Sequence, residues 1–122
     1  MKVIIAGCRD VHSISVIESA INRSGYRSRI TEVVSGGASG VDLLGEEWAE
    51  SNGVMIAVFP AKWGVHGKAA GPIRNREMAN YADALIAVWD GCSRGTKSMI
   101  EEATRKSLRV FVHEFDRRSL LV

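Results

Sequence analysis

The stretch Ser35-Gly36-Gly37-Ala38-Ser39-Gly40-Val41-Asp42 decides the predicted fold, because it separates two segments of different periodicity. A β-branched apolar run at residues 30–34 precedes it, and a helical pattern at residues 41–52 follows it. Strand, glycine turn and helix in this order present backbone N–H groups to an anion, and glycine lets a ligand approach the backbone closely. The stretch therefore predicts either an anion-binding turn or an ordinary connection between a strand and a helix.

The helix after this turn carries two further predictions. Ser39 is predicted to cap it, with Asp42 three residues later completing a variant of the capping box. Gly45 inside the helix costs about 1 kcal/mol relative to alanine. We therefore expect Gly45 to lie in close contact with the sheet.

The same alternation of apolar runs and helical stripes extends along the whole chain. Strands alternating with helices imply right-handed crossovers and a parallel sheet. We predict one domain, residues 1–122, with a Rossmann-like three-layer α/β fold: a five-stranded parallel sheet with helices on both faces, the first strand central and the fourth beside it. The strands are predicted near residues 3–6, 30–34, 54–59, 84–88 and 110–112, and the helices near 13–24, 41–52, 72–81 and 96–107.

Residues 60–71 form a long connection that we predict to lack regular structure, with Pro72 at the first position of the next helix. Long connections in compact domains are usually functional or disordered, and because this one holds Trp63, His66 and two lysines we favour an active lid or ligand-facing loop. Trp63 either stacks on a base or serves as a hydrophobic plug. No paired nucleophile marks His12 or His66 as an acid or base.

Composition limits the function classes. The formal net charge of +2 is too small to argue for non-specific nucleic-acid binding from charge alone.

No apolar run approaches the ~20 residues of a membrane span, and the chain begins with a strand pattern rather than a signal peptide, which indicates a cytoplasmic protein. Cys8 and Cys92 form no C-x-x-C motif, so we predict neither a structural disulfide nor a metal site, and no cofactor.

The unusual turns all follow the carboxyl end of a predicted strand, at residues 7–10, 35–42, 60–76 and 90–96. In parallel α/β sheets ligands bind at this edge, near the point where the strand order reverses. The turns thus predict a binding site even though no standard dinucleotide fingerprint is present.

Basic side chains gather at this edge, which suits phosphate. We favour a binding role for Arg9, Arg74 and Arg94, each beside a glycine turn or a helix start. Solvated loop positions are favoured for the lysines, namely Lys62, Lys68 and Lys97. Asp42 either holds a ribose hydroxyl or only caps its helix.

Together these motifs resemble the SLOG superfamily, named for DNA-processing protein A and the Lonely Guy proteins, over nearly the whole chain. Residues 35–42 resemble the Gly-Gly-Ala-x-Gly-[Ile/Val]-Asp motif of DNA-processing protein A, and the Arg-Asn-Arg at 74–76 resembles that family's Arg-Asn-Arg. Residues 91–96 resemble the second glycine motif of the superfamily. The wider string, at 7–10, 59–63, 67–78 and 89–96, is similar to the small bacterial and phage YspA-like (YAcAr) group.

The resemblance implies a domain that binds or senses a nucleotide or nucleotide-derived small molecule. A homodimer is a further expected partner, with residues 120–122 either packing back or joining the dimer, and single-stranded DNA is a less favoured one. The residues predicted to bind the ligand are Gly7, Arg9, Asp10, Ser35, Gly36, Gly37, Ala38, Gly40, Asp42, Arg74, Asn75, Gly91, Ser93, Arg94, Gly95 and Thr96.

An enzyme is the alternative. Lonely Guy enzymes cleave the N-glycosidic bond of a nucleoside monophosphate, using an arginine on the third helix and a glutamate three residues after the threonine of their glycine motif. Here Arg74 matches the arginine, but the residue three after Thr96 is Met99. If the chain is such a phosphoribohydrolase, Glu101 is the candidate for its acid, displaced from the position that Met99 occupies. The departure at Met99 favours binding over hydrolysis.

Overall fold

The computed structural model describes residues 1–116, and within them five strands form one parallel sheet in the order β3-β2-β1-β4-β5. This confirms the predicted Rossmann-like α/β fold with the first strand central and the fourth beside it. The strands are β1 Lys2–Gly7, β2 Glu32–Ser35, β3 Met55–Val58, β4 Ala84–Trp89 and β5 Arg109–Glu114.

The helices cover both faces of the sheet, because alternate residues of the buried strands face opposite sides. Val3 and Ile5 pack with the helices at Ile14–Ser24 and Val41–Ser51, whereas Ile4 and Ala6 pack with those at Ala70–Tyr81 and Arg94–Arg105. The helices are α1 Ile14–Ser24, α2 Val41–Ser51, α3 Trp63–His66, α4 Ala70–Tyr81 and α5 Arg94–Arg105, with 3₁₀ turns at Arg27–Arg29 and Gly67–Ala69. Among residues 1–116 no helix combines the length and the hydropathy that crossing a membrane requires.

Gly45 confirms the predicted contact between α2 and the sheet. A Cβ built on Gly45 would lie 2.9 Å from Cγ2 of Ile5 on β1. The glycine therefore allows α2 to pack closely against the central strand, and this contact fixes the position of the helix start at the carboxyl edge.

The start of α2 corrects the predicted cap. Gly40, with φ of 76°, occupies the N-cap position, and no side chain caps the helix. The backbone N–H of Val41 instead donates to the carbonyl of Cys8 at 3.2 Å, so the loop after β1 satisfies the helix start. A side chain on Gly40 would overlap the backbone of Arg9. Ser39 is therefore not needed as a cap, and Asp42 is available for another contact.

The connection between β3 and α4 also differs from the prediction. It contains the short helix α3 and a 3₁₀ turn instead of irregular backbone. Helix α4 begins at Ala70, so Pro72 is its third residue rather than its first. Proline is tolerated there because the first N–H groups of a helix have no partner within it. The prediction for residues 120–122 lies outside the described residues.

Candidate functional site

A cavity of about 280 Å³ opens at the carboxyl ends of β1 and β4, where the strand order reverses. Such a switch point is where parallel α/β sheets bind ligands. Its walls come from the loop after β1, the first turns of α2 and α5, and the middle of α4. The lining residues are Ala6, Gly7, Cys8, Arg9, Asp10, Ala38, Asp42, Arg74, Asn75, Met78, Ser93, Gly95, Thr96 and Met99.

A second cavity of about 270 Å³ adjoins the first on the side of β3. Three residues, Arg9, Ala38 and Arg74, line both cavities, so the two lie side by side, and we refer to them together as the cleft. The other residues of the second cavity are Gly36, Gly37, Ser39, Pro60, Ala61 and Trp63. We call the two the switch-point cavity and the β3-side cavity.

Arg74 is held in the cleft from both sides. Its Nη1 donates to the carbonyl oxygen of Gly36 at 2.6 Å, and its Nε donates to Oδ1 of Asn75 at 3.0 Å. The Asn75 amide in turn donates to Oγ of Ser98 at 3.2 Å and to the carbonyl of Gly95 at 3.4 Å. Arg74 is thereby fixed relative to the glycine turn and to the start of α5.

Asp42 is the buried acidic group of the cleft, with 6% of its surface exposed. Its Oδ2 accepts a hydrogen bond from the backbone N–H of Ala38 at 3.3 Å. Burial raises the pKa of Asp42 from 3.8 to about 6, although the Ala38 N–H and the Arg74 charge oppose this rise. The carboxyl group therefore holds the glycine turn in place, and it is the site group whose protonation changes in mildly acidic solution.

The two arginines repel each other across the cleft. Burial is the main cause that lowers the pKa of Arg74, and the Arg9 charge lowers it further, whereas Asp42 raises it. Because the β3-side cavity is lined by both arginines and by no acidic side chain, an anion there would relieve this repulsion. The positive dipole end at the start of α2 adds to the attraction for an anion.

The glycine turn leaves no room for a side chain beside Arg74. A Cβ on Gly36 would lie 2.6 Å from Nη1 of Arg74 and 2.7 Å from Oδ2 of Asp42. Gly37 has φ of 73°, which favours glycine. Ser35 lies beneath the turn, where its hydroxyl accepts the Gly37 N–H at 3.1 Å and donates to Glu46 at 2.6 Å. Ser35 thus supports the turn and does not line either cavity.

The second glycine turn places only its later residues in the cleft. Oδ1 of Asp90 accepts hydrogen bonds from the N–H groups of Cys92 and Ser93 at 2.9 and 2.8 Å, and these bonds stabilise the turn that leads into α5. The hydroxyls of Ser93 and Thr96 lie 3.2 Å apart in the switch-point cavity. Gly91, whose missing Cβ would point toward Glu114, is not among the lining residues.

The structure brings most of the predicted ligand-binding residues together. Those that line the cleft are Gly7, Arg9, Asp10, Gly36, Gly37, Ala38, Asp42, Arg74, Asn75, Ser93, Gly95 and Thr96. Those that line neither cavity are Ser35, Gly40, Gly91 and Arg94. Gly40 still matters to the cleft because it packs against the Arg9 backbone, whereas Arg94 is exposed at the start of α5.

The apolar part of the switch-point cavity was not predicted from the sequence. Ala6, Cys8, Met78 and Met99 line it, and none of them is among the predicted ligand-binding residues. Helical spacing is a signal that finds one of them, because Met78 follows Arg74 by four residues and shares its face of α4. The cavity is therefore half apolar, which suits a flat organic group more than a bare anion.

The carboxylates of α5 do not reach the cleft. Met99 is 1% exposed and lines the switch-point cavity, while Glu101 is exposed and lines neither cavity. Glu102 is buried and its carboxylate pairs with Arg105 at 2.9 Å and lies 3.8 Å from Arg76. Within residues 1–116 there is also no cluster of three or more His, Cys, Asp or Glu side chains placed to hold a metal ion.

The fold and the cleft define a class: Rossmann-like α/β domains with a glycine-turn cleft at the carboxyl edge of the sheet. Within this class the chain belongs to the YspA, cpYpsA-related SLOG family (YAcAr), whose family model matches residues 1–66. This confirms the resemblance inferred from the motifs. Membership of the family is consistent with a function related to nucleotides or nucleic acids.

Two similar proteins extend the comparison. The Gene 61 protein of Mycobacterium phage D29 is 34% identical over 116 residues, covering 89% of this chain and 93% of that protein. The crystal structure of DNA processing protein A from Streptococcus pneumoniae matches with a TM-score of 0.68 and 20% sequence identity, covering 91% of this chain. The match covers 49% of the streptococcal chain, so this domain spans about half its length. At this identity the likeness concerns the fold.

Proposed function

We propose that the protein binds a nucleotide or a nucleotide-derived small molecule in the cleft at the carboxyl edge of its sheet. The observation that carries this proposal is the pair of arginines, Arg9 and Arg74, that line both cavities beside the glycine turn. Two guanidinium groups held in like-charge repulsion favour a multiply charged anion, and phosphate esters match the forked geometry of arginine.

The rest of the cleft supports an organic phosphate over inorganic phosphate. The switch-point cavity combines the hydroxyls of Ser93 and Thr96 with the thioether side chains of Met78 and Met99. Hydroxyl and amide groups suit the hydroxyls of a sugar, and thioethers pack well against the face of a base. In this proposal the phosphate lies near the arginines, and the nucleoside extends toward Met99.

The test begins with the molecules that the protein retains. Protein purified at low salt would be denatured, and the released small molecules identified by mass spectrometry, with an Arg74→Ala preparation in parallel. We expect a phosphorylated nucleoside derivative in the first sample and much less in the second. Calorimetry with AMP, GMP, ADP-ribose and NAD would follow. Absence of a retained phosphorylated compound, together with no heat of binding for all four, would refute the proposal.

Single-stranded DNA is a second candidate, favoured by the exposed basic side chains around the cleft. Lys62, Lys68, Arg76, Arg94 and Lys97 are all exposed at or near the carboxyl edge. A binder that neutralises Z phosphates of a single strand shows a log–log salt slope of about −0.7Z. We expect a slope that corresponds to about one or two phosphates. A steep slope with sub-micromolar affinity at physiological salt would make DNA the preferred ligand.

A further inference from the structure

The two cavities are each small for a ligand site. Their volumes are about 280 and 270 Å³, whereas sites for small molecules and cofactors typically enclose about 300–1,000 Å³. They share the wall made by Arg9, Ala38 and Arg74. A ligand that fills the cleft therefore extends from one cavity into the other and passes the shared wall.

Both basic side chains of the cleft lie at this shared wall, whereas the acidic ones, Asp10 and Asp42, line only the switch-point cavity. Arg9 and Arg74 belong to both cavities, so an anion in contact with both guanidinium groups lies at the junction. The switch-point cavity is also lined by Ala6, Met78 and Met99, which carry no charge. The β3-side cavity also has an uncharged wall, formed by Pro60, Ala61 and Trp63.

Trp63 gives the β3-side cavity a surface suited to a flat organic group. It is 52% exposed, whereas Trp48 is only 3% exposed. Its ring lies over Gly71 at the start of α4, where a Cβ would come within 3.4 Å of Cη2. Exposed aromatic rings beside a positive groove are the surfaces on which nucleic acid bases stack.

On this arrangement, and resting on the proposed function, we propose that the ligand carries its phosphate between two organic groups. It is a phosphodiester or a pyrophosphate diester, with one group in the switch-point cavity and the other against Trp63. A nucleoside monophosphate, whose charge is at one end, would fill only one of the two cavities. The same diester chemistry occurs in small dinucleotides and in a single nucleic acid strand, and the experiment separates these sources.

The test compares AMP with diadenosine diphosphate, and GMP with the guanosine counterpart, by calorimetry at pH 8. Monoester and pyrophosphate diester then both carry about two negative charges, because the second pKa of a phosphate monoester is about 6. The pairs therefore differ in the position of the charge and in the second nucleoside. We expect the diester to bind at least about tenfold more tightly, as one added stacking contact allows. Equal affinity would refute this inference and leave nucleotide binding intact, whereas no binding by any of the four, together with no retained phosphorylated compound, would refute the proposed function itself.

Trp63→Ala tests the second subsite directly, and Val65→Ala is its matched control. Val65 lies on the same short helix and is 74% exposed, but lines neither cavity. Trp63→Ala should weaken diester binding by about fivefold to a hundredfold and bring it toward the affinity for the monoester. Val65→Ala should change neither affinity. If Trp63→Ala leaves the ratio of the two affinities unchanged, the second group does not bind at Trp63 and the inference fails.

A ten-nucleotide oligothymidylate identifies the source of the diester. If a small dinucleotide is the ligand, the oligomer should bind no more tightly than thymidylyl-thymidine, and Trp63→Ala should weaken both equally. If a nucleic acid strand is the ligand, affinity should rise with oligomer length, and the salt slope should exceed that of one or two phosphates. A failure of both thymidine probes to bind, combined with equal affinity for AMP and diadenosine diphosphate, would overturn the diester inference.

Discussion

The guanidinium of Arg74 lies in the space that a side chain on Gly36 would need, and it donates a 2.6 Å hydrogen bond to the Gly36 carbonyl. This single relationship joins the two motifs of the cleft, since Gly36 belongs to the turn after β2 and Arg74 to α4. The distance between them in sequence is 38 residues. The arginine can face the cleft only because the turn has no Cβ at this position.

Gly36→Ala should therefore displace Arg74 without a large loss of fold stability. The new Cβ would meet Nη1 of Arg74 at 2.6 Å, and the end of a long side chain can move. We expect nucleotide affinity to fall about tenfold to a hundredfold, the value of a hydrogen bond to a charged group. Gly64→Ala is the matched control, because Gly64 has open space around it and lines neither cavity. Unchanged affinity in Gly36→Ala would show that the position of Arg74 is unimportant for binding.

Arg74→Ala should distinguish a phosphate contact from a general effect on the cleft. If Arg74 holds phosphate, its loss should weaken a nucleotide by about tenfold or more, and the matching nucleoside much less. Calorimetry with AMP and adenosine, or with GMP and guanosine, measures both losses in the same variant. Equal losses for nucleotide and nucleoside would show that Arg74 shapes the cleft but does not bind phosphate.

The sheet could be predicted from sequence because its strands are buried on both faces. Val3, Ile4 and Ile5 are all fully buried, so β1 is a continuous apolar run that only a central strand requires. The edge strand β3 was also predicted, although Met55 and Val58 remain exposed. Helix α3, in the connection between β3 and α4, was not predicted. It has four residues with only weak local preference and depends on its packing against α4.

The candidate site was predictable where a motif determines backbone geometry. Gly36, Gly37 and Arg74 lie in the cleft as expected, since a glycine turn at a strand end leads to the carboxyl edge. The role of Ser39 was wrong, because the carbonyl of Cys8, distant in sequence, satisfies the start of α2. The apolar wall at Met78 and Met99 depends on how α4 and α5 pack together; helical spacing from Arg74 indicates Met78, but no local pattern indicates Met99.

Asp42 should make both stability and ligand binding depend on pH. Because its pKa in the folded protein, about 6, lies above the ordinary 3.8, the folded state binds more protons than the unfolded state between these values. The free energy of unfolding should therefore fall by up to about 2–3 kcal/mol from this group as the pH rises from about 4 to about 6. Urea unfolding at several pH values would measure this change in the free energy of unfolding. Asp42→Asn should remove this part of the pH dependence. Equal pH profiles for the two proteins would contradict the prediction.

The same titration should change affinity for an anion. Protonation of Asp42 removes a negative charge beside Arg74, so the binding of diadenosine diphosphate should tighten as the pH falls from 8 to 5. A pyrophosphate diester is a suitable probe because its own charge stays constant over this range. Comparison with Asp42→Asn separates the contribution of Asp42 from that of the other charged groups. A pH dependence that persists unchanged in Asp42→Asn would assign the effect to another group.

Base release should be absent if the protein only binds its ligand. The residue three after Thr96 is Met99, and Glu101 lies outside both cavities, so no carboxylate of α5 is placed beside a bound nucleoside. Incubation with AMP, ADP-ribose and NAD, followed by chromatography of the free base, should show no release above a buffer control. Sustained release that is lost in both Arg74→Ala and Glu101→Ala would overturn this expectation. Loss in Arg74→Ala alone would also support an enzyme, with an acid other than Glu101.

Gly37 and Gly95 should respond differently to alanine, although both line the cleft. Gly37 has φ of 73°, and its new Cβ would lie 3.2 Å from Val58, so Gly37→Ala should lower stability by about 1–3 kcal/mol. Gly95 lies in the first turn of α5 with open space around it. Gly95→Ala should leave the free energy of unfolding unchanged or raise it by up to about 1 kcal/mol, since alanine favours the helix.

Affinity should nevertheless fall in both variants, because both glycines line the cleft that the ligand fills. Gly95→Ala is the decisive one, since an increase in stability together with a loss of affinity has no explanation in a damaged fold. Thermal unfolding and calorimetry on the same preparations measure the two quantities, with Gly64→Ala as the control that adds a methyl group on α3 outside the cleft. Full affinity in Gly95→Ala would mean that the ligand does not approach the start of α5, and the site would then be confined to the turn after β2 and to Arg74.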